Sequence, residues 1–461
     1  MAREISDSRK PDGSQAPGIS PNGGSQAPGV SPNGGQAPGG SDLNSTPSGG
    51  RVHVSFFGRR NAGKSSLVNA VTGQNLSIVS DTPGTTTDPV SKAMELLPLG
   101  PVVITDTAGL DDEGLVGEMR VQKAMIILRK TDIAVLVVDG SSADFGSSDA
   151  TDGSGGKSFH LAPDDEQLVE LFRSRKMPFI VAFNKTDKLA ASAAQALNKA
   201  FENAEYPVIP VSAADGRGIT ELKEKIAAMG KEIAVDKKII ADRLNPQDVV
   251  ILVTPIDSSA PKGRMILPQV QAIRDILDGH AVCMVTQVEE LQMCLDALRE
   301  PPALVVTDSQ AFSTVKEIVP ESVKLTSFSI LFARLKGILN TAVEGAEHLS
   351  RLNDGDKVLI SEGCTHHRQC EDIGTVKLPN WIQKYTGKTL NFSFTSGGQF
   401  PEAEELKQYA LVVHCGGCML NEREMLSRMH VAEESGVAFT NYGTLIAHIN
   451  GILERSLEFL K

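Results

Sequence analysis

The first fifty residues carry almost no apolar side chains, and their one periodicity is a near-repeat, SQAPGISPNGG then SQAPGVSPNGG, followed by a truncated QAPGG. Such a stretch buries too little apolar surface to offset its ordering entropy, so residues 1–50 are expected to form a disordered tail. From Arg51 the texture changes to short apolar runs separated by amphipathic stretches: VHVSFF (52–57), PVVITD (101–106), IAVLVVD (133–139), FIVAFN (179–184) and YPVIPVS (206–212). Runs this short and this apolar read as strands buried on both faces of a parallel sheet, with the intervening helices covering it. Between the third and fourth runs, SSADFGSSDATDGSGG (141–156) reads as a flexible surface insertion.

The alternation continues past a helix ending near Ile233. VVILVTPI (249–256), AVCMVT (281–286) and ALVVTD (303–308) alternate with helices predicted near 267–278 and 289–299. A further helical run from about Thr326 to Leu352 leads into KVLIS (357–361), TLNFSF (389–394), ALVVHC (410–415) and VAFTNY (437–442), and GTLIAHINGILERSLEFL is expected to close the chain as one helix. The fold expectation is α/β throughout: a P-loop domain over 51–235, an α/β domain over 240–325 without a catalytic cluster and suited to docking or dimerising, and a third α/β domain over 326–461.

Chemistry sharpens the first domain. Directly after the first run comes Gly58-Arg-Arg-Asn61-Ala-Gly63-Lys64-Ser65-Ser66, a phosphate-binding loop in its strand-to-helix context. Its glycines let backbone N–H groups curl around a phosphate, Lys64 neutralises β/γ oxygens, and Ser65 can hold Mg²⁺. Asp106-Thr-Ala-Gly109 ends the next long run, placing a carboxylate near the Mg²⁺ shell and a glycine N–H at the γ-phosphate. Asn184-Lys185-Thr-Asp187 ends a later one, and its Asp can accept both guanine N1–H and N2–H₂, which adenine does not offer. Ser212-Ala213-Ala214 follows as the loop whose N–H meets guanine O6. The nucleotide is therefore GTP.

Asn61 and the switch segment Pro83-Gly-Thr-Thr-Thr-Asp88 resemble the potassium-dependent GTPase branch that includes the tRNA-modifying GTPase MnmE. The resemblance implies K⁺ held by Asn61, Thr86 as a Mg²⁺ ligand, and Asp112 in place of that branch's catalytic Glu, a shorter carboxylate that suggests slow, switch-like turnover.

Net charge is −12 with scattered Lys and Arg, which argues against a nucleic-acid or anionic-membrane partner. Neither a signal-peptide pattern nor an apolar run long enough to span a bilayer occurs, so a soluble cytoplasmic protein is expected. Of six cysteines, Cys283 and Cys294 lie in apolar stretches. The other four sit in polar segments beside histidines: Glu362-Gly-Cys364-Thr-His366-His367-Arg-Gln-Cys370 and His414-Cys415-Gly-Gly-Cys418, each leaving the carboxyl end of a predicted strand. C-x-x-C with a distant Cys and His suits an iron–sulfur cluster and tetrahedral Zn²⁺ equally well. Cys370 is left outside the first shell.

The whole combination, with C-x-H, 47 residues, then H-C-x-x-C, resembles the HydF family of [FeFe]-hydrogenase maturation GTPases from about residue 51 to 461. That resemblance implies a homodimer formed through the middle domain and a [4Fe–4S] cluster on Cys364, Cys415 and Cys418 with a labile fourth position near His366 and His414. It also implies a scaffold that receives a di-iron precursor from two radical-SAM maturases and passes it to apo-hydrogenase, with GTP hydrolysis changing partner affinity. The competing expectation is a GTP-dependent RNA-modification or ribosome-assembly factor with a structural zinc domain, which needs a basic surface this composition does not suggest.

Overall fold

A computed structural model describes residues 48–73, 90–107, 125–141, 161–189, 201, 204–233, 237–255, 265–363 and 373–461. Residues 1–47 of the expected tail, the expected insertion from 142 onward and the switch segment lie outside these residues, while Ser48–Gly50, at the end of that tail, form a short 3-10 turn leading into the first strand.

The first sheet uses β1 (Val52–Phe57), β2 (Val90–Leu96), β3 (Gly100–Asp106), β4 (Ile133–Asp139), β5 (Phe179–Asn184) and β6 (Val208–Pro210), in the order β2-β3-β1-β4-β5-β6. All pair in parallel except β2, which runs antiparallel to β3 and forms an edge. That strand was not anticipated, because Val90–Leu96 is largely exposed and lacks an apolar run. One face of the sheet is closed by helices Lys64–Thr72 and Ile219–Ile233, whose Leu67, Val71, Leu222 and Ile226 meet Val54, Phe56 and Val135. The other is closed by helix Pro163–Ser174 and a helical segment at 125–130, with Phe172 and Leu128 against Leu136 and Val138.

The second sheet contains β7 (Val249–Val253), β8 (Val282–Thr286), β9 (Leu304–Thr307) and β10 (Leu325–Ser327), all parallel, in the order β10-β9-β7-β8. Because β10 belongs here, the expected domain junction at 325/326 falls inside a strand. The third sheet contains β11 (Lys357–Glu362), β12 (Asn391–Ser396), β13 (Leu411–His414) and β14 (Ala438–Asn441), again all parallel, in the order β12-β11-β13-β14. The two later sheets share one core, in which Ile251, Val253 and Leu325 of the second join Val358, Ile360, Leu411 and Val413 of the third. The closing helix is broken: Tyr442–Ile449 ends, and Leu453–Leu457 begins after Gly451, whose φ of +69° no right-handed helix accommodates. Among the described residues, no helix is long and apolar enough to cross a membrane.

Candidate functional site

The phosphate loop leaves β1 and enters the helix Lys64–Thr72. Lys64 is buried, and its ammonium donates to Gly58 O at 2.9 Å and Arg59 O at 2.7 Å, so loop carbonyls hold it at the loop's centre. Ser65 Oγ donates to Asp106 Oδ2 at 2.6 Å, which brings together the hydroxyl and carboxylate expected around Mg²⁺. Asp106 is fully buried, yet among the described residues its Oδ1 has no hydrogen-bond partner. A buried carboxylate oxygen left open beside a hydroxyl fits a hydrated divalent cation. Asn61 is exposed, in the left-handed region at φ +63°, a conformation Asn tolerates. Ser66 follows Ser65 on the first turn of the helix, half-buried.

The guanine side is tied to the phosphate side. Asn184 Nδ2 donates to Ala62 O at 2.9 Å, and a Cβ on Gly63 (φ +90°) would lie 2.4 Å from that same nitrogen. Only glycine permits both the loop's conformation and this approach. Asp187 Oδ1 accepts Ser212 Oγ at 2.9 Å, which orients the exposed carboxylate for a base. Ala213 N–H, expected to meet guanine O6, donates instead to Asn184 Oδ1 at 3.1 Å, so an O6 contact requires that bond to be shared or opened.

Two acids unseen in the sequence support this arrangement. Asp139, at the end of β4, pairs with Lys185 at 2.6 Å. Partial burial would raise its pKa, but hydrogen bonds from Lys185 and Ser141 hold its carboxyl below the ordinary value. Asp165, in the first turn of Pro163–Ser174, lies 3.2 Å from Arg59 of the phosphate loop, and burial pushes it up to about 6. The acidic triplet Asp164-Asp165-Glu166 looks like ordinary charge at a helix N-terminus, which concealed the inward one. Thr86, Gly109, Asp112, Cys364 and His366 lie outside the described residues.

The second chemical centre sits at the carboxyl ends of β11 and β13, neighbours in register with Ser361 opposite His414. Cys415 N–H donates to Ser361 O at 2.9 Å, continuing the ladder, and Gly363 N–H donates to Cys415 Sγ at 3.1 Å. Gly417 N–H also donates to Cys415 Sγ, at 3.4 Å. Gly417 needs its left-handed φ of +64° to turn the chain back toward Cys418, and a Cβ there would strike Met425 Sδ at 2.5 Å. Burial raises the Cys415 thiol, and burial followed by its neighbour Cys415 pushes Cys418 up to about 11. Both therefore rest as thiols, and a metal must displace their protons, which two N–H donors to sulfur favour.

His414 is oriented away from metal duty. It is fully buried: Nε2 lies 3.0 Å from Arg428 Nη1 and Nδ1 lies 2.8 Å from Cys415 O. The first contact makes Nε2 an acceptor and leaves Nδ1–H to donate, so both nitrogens are engaged by protein. Burial and then the Arg428 charge drive its pKa down to about 3, keeping the ring neutral. The expectation that His414 lies near a cluster's labile position thus becomes a role in bracing the Cys415 peptide. Among the described residues, no three His, Cys, Asp or Glu side chains converge on a metal-sized site; Cys364 and His366 lie outside them. Cys283 and Cys294 are half-buried against the cores.

Residues 53–185 match the family model of a 50S ribosome-binding GTPase, residues 239–337 the hydrogen maturase F dimerization domain, and residues 340–459 the hydrogen maturase F tetramerization domain. GTPase Der of Kosmotoga olearia is 33% identical over 204 residues, covering 42% of this chain and 42% of that protein. The tRNA modification GTPase MnmE of Heliobacterium modesticaldum is 35% identical over 175 residues, covering 38% and 33%. The chain thus spans under half the length of these curated relatives. The solved structure of Aquifex aeolicus Era bound to GDP and AlF4⁻ is 19% identical and covers 51% of this chain and 93% of that one at a TM-score of 0.32, so the fold rests on strand order and loop geometry instead. Fold and site define a P-loop GTPase domain followed by two further parallel α/β domains, built to self-associate. The chain belongs to the hydrogen maturase F family.

Proposed function

We propose that the chain is a GTP-hydrolysing scaffold of [FeFe]-hydrogenase maturation. It holds a [4Fe–4S] cluster on Cys364, Cys415 and Cys418, receives there a di-iron precursor from radical-SAM maturases, and passes it to apo-hydrogenase in the cytoplasm. The observation that carries this reading is the meeting of β11 and β13: Gly363, the residue before Cys364, donates to Cys415 Sγ at 3.1 Å. This contact spans 52 residues of sequence and sets the residue that precedes C-x-H against the first cysteine of H-C-x-x-C. A cluster on three thiolates supplies one iron with an exchangeable position, to which a second metal unit can bridge.

In the nucleotide site, Lys64, Ser65 and Asp106 hold phosphates and Mg²⁺, with Thr86 completing the Mg²⁺ shell and Asp112 orienting water. Gly109 N–H meets the γ-phosphate, and Asn184, Lys185, Asp187, Ser212 and Ala213 frame guanine. Asn61 holds K⁺, whose charge stabilises the transition state, and GTP turnover equal in NaCl and KCl would remove that role. Self-association takes the form of a homodimer through the second sheet.

Anaerobic reconstitution followed by iron and sulfide analysis, with EPR of the reduced protein, tests the cluster. About four irons and four sulfides per chain are expected, with the EPR signal lost or reshaped in Cys364→Ser. Colourless protein holding one zinc per chain would overturn the reading in favour of the RNA-modification or ribosome-assembly alternative.

A further inference from the structure

The loop running from Cys415 to Asn421 is in contact with the GTPase domain. Gly49, on the lead-in to β1, lies so close that a Cβ on it would meet Leu420 O at 2.7 Å and Cys418 O at 2.8 Å. Lys336, buried at the end of helix Phe328–Leu335, donates to both sides of this contact: Leu420 O at 2.7 Å and Gly49 O at 3.1 Å. Asn421 is also buried and has two functions. Its Oδ1 accepts Glu424 N–H at 3.1 Å, capping helix Glu422–Glu434, while its Nδ2 donates to Lys130 O at 2.6 Å and to Asp132 Oδ2 at 3.3 Å. Asp132 Oδ2 in turn accepts the N–H of His53 in β1 at 2.8 Å.

A second route starts at the same place. Lys130 Nζ lies 3.8 Å from Glu424 Oε2, Glu424 Oε1 pairs with Arg428 at 2.7 Å, and Arg428 meets His414, whose other nitrogen contacts Cys415 O. The side chains in both routes are largely buried except Lys130, and several of them bind backbone directly, so a displacement at one end is passed along the chain. On the GTPase side the contact reaches β1, which Asp132 holds through the His53 N–H and whose carboxyl end runs into the phosphate loop at Gly58.

We infer that Asn421 and Lys336 are positioning residues that couple the nucleotide state of the first domain to the geometry of the Cys415–Cys418 loop through Lys130, Asp132 and Gly49. The inference rests on the reading of that loop as the metal-holding one and supplies what regulates it. Coupling is reciprocal: whatever nucleotide exchange does to the thiols, occupation of the thiols does to the ratio of GTP and GDP affinities.

The test uses the full-length, reduced, metal-free protein with Mg²⁺ and K⁺, alkylated by iodoacetamide in saturating GDP or a non-hydrolysable GTP analogue. Mass spectrometry then gives the rates at Cys415 and Cys418. The expected ratio between the two nucleotide states is about fivefold or more at one or both thiols, the low end of measured couplings. Asn421→Asp keeps the cap acceptor, loses the amide donor and sets a carboxylate against Asp132, and it should bring the ratio to about one. Adding Asp132→Asn relieves the charge repulsion but leaves Lys130 O without its donor, so the ratio should recover only in part, a recovery that a merely structural role for Asn421 would not give. If Asn421→Asp fails to fold, as judged by loss of GDP binding, Lys336→Met carries the test with the same expected collapse. Identical labelling in both nucleotide states of the native protein, or an unchanged ratio in folded variants, overturns the coupling. Failure to incorporate iron would count against the cluster alone and leave the labelling ratio readable.

Discussion

At the scale of single residues, the nucleotide site depends on acids that touch no nucleotide. Asp165 is buried beside Arg59 and titrates near 6, above the ordinary 3.8. A carboxyl whose folded pKa is raised keeps its proton in the folded state while the unfolded chain has released it, so stability declines as pH rises through that window and stays lower above it. The displacement corresponds to about 3 kcal/mol. Asp165→Asn should therefore gain stability relative to the native chain by up to that amount between about pH 4 and about pH 7, measured by denaturant unfolding. A difference independent of pH would show that Asp165 ionises normally. The residues of the phosphate loop and guanine motif were legible because their spacing is dictated by the ligand. Asp139, Asp165 and Arg428 were not, because their partners lie on other elements, and only the assembled fold makes Lys185, Arg59 and His414 their neighbours.

At the scale of elements, the strands that carry chemistry are those whose apolar runs announced them. β1, β4 and β5 occupy the central positions where both faces are buried, and their ends deliver Gly58, Asp139 and Asn184. β2 and β10 escaped notice for opposite reasons: β2 is an exposed edge with little apolar pattern, and β10 is three residues long. The break in the closing helix was written as Asn450-Gly451, a C-terminal signal overlooked inside a long apolar periodicity. β8 is an edge strand with exposed Val282 and Val285, at 50% and 44%. Val282 N–H donates inward to Asp248 O at 2.8 Å, so by alternation the N–H of Val285 points to the open edge. Val285→Pro removes that donor while sparing the ladder to β7 and should shift the protein toward monomer in sedimentation. Unchanged association would move the dimer contact elsewhere.

At the scale of the whole molecule, cohesion is uneven. The first sheet has cores of its own on its two faces, whereas the second and third sheets share a core between them and each keep a further one on the other face. Two calorimetric transitions are expected, one for the GTPase domain and one for the two later domains together. GDP binds the first domain, so it should raise that transition most, with a smaller shift of the second carried through the Lys336 and Asn421 contacts. Three transitions would contradict the shared core. The rhythm of strands and helices marked three α/β stretches, but this fusion was not legible, since it depends on which faces meet.

The shared core has a consequence for assembly. The β8 edge and the Cys415 loop are carried by sheets that share one core, so a twofold axis joining two β8 edges would also set the separation and mutual orientation of the two thiol loops. In such a pair each GTPase domain would lie against the thiol loop of its own chain, through Gly49, Lys130 and Asp132, so two nucleotide states could be set independently on one fixed frame.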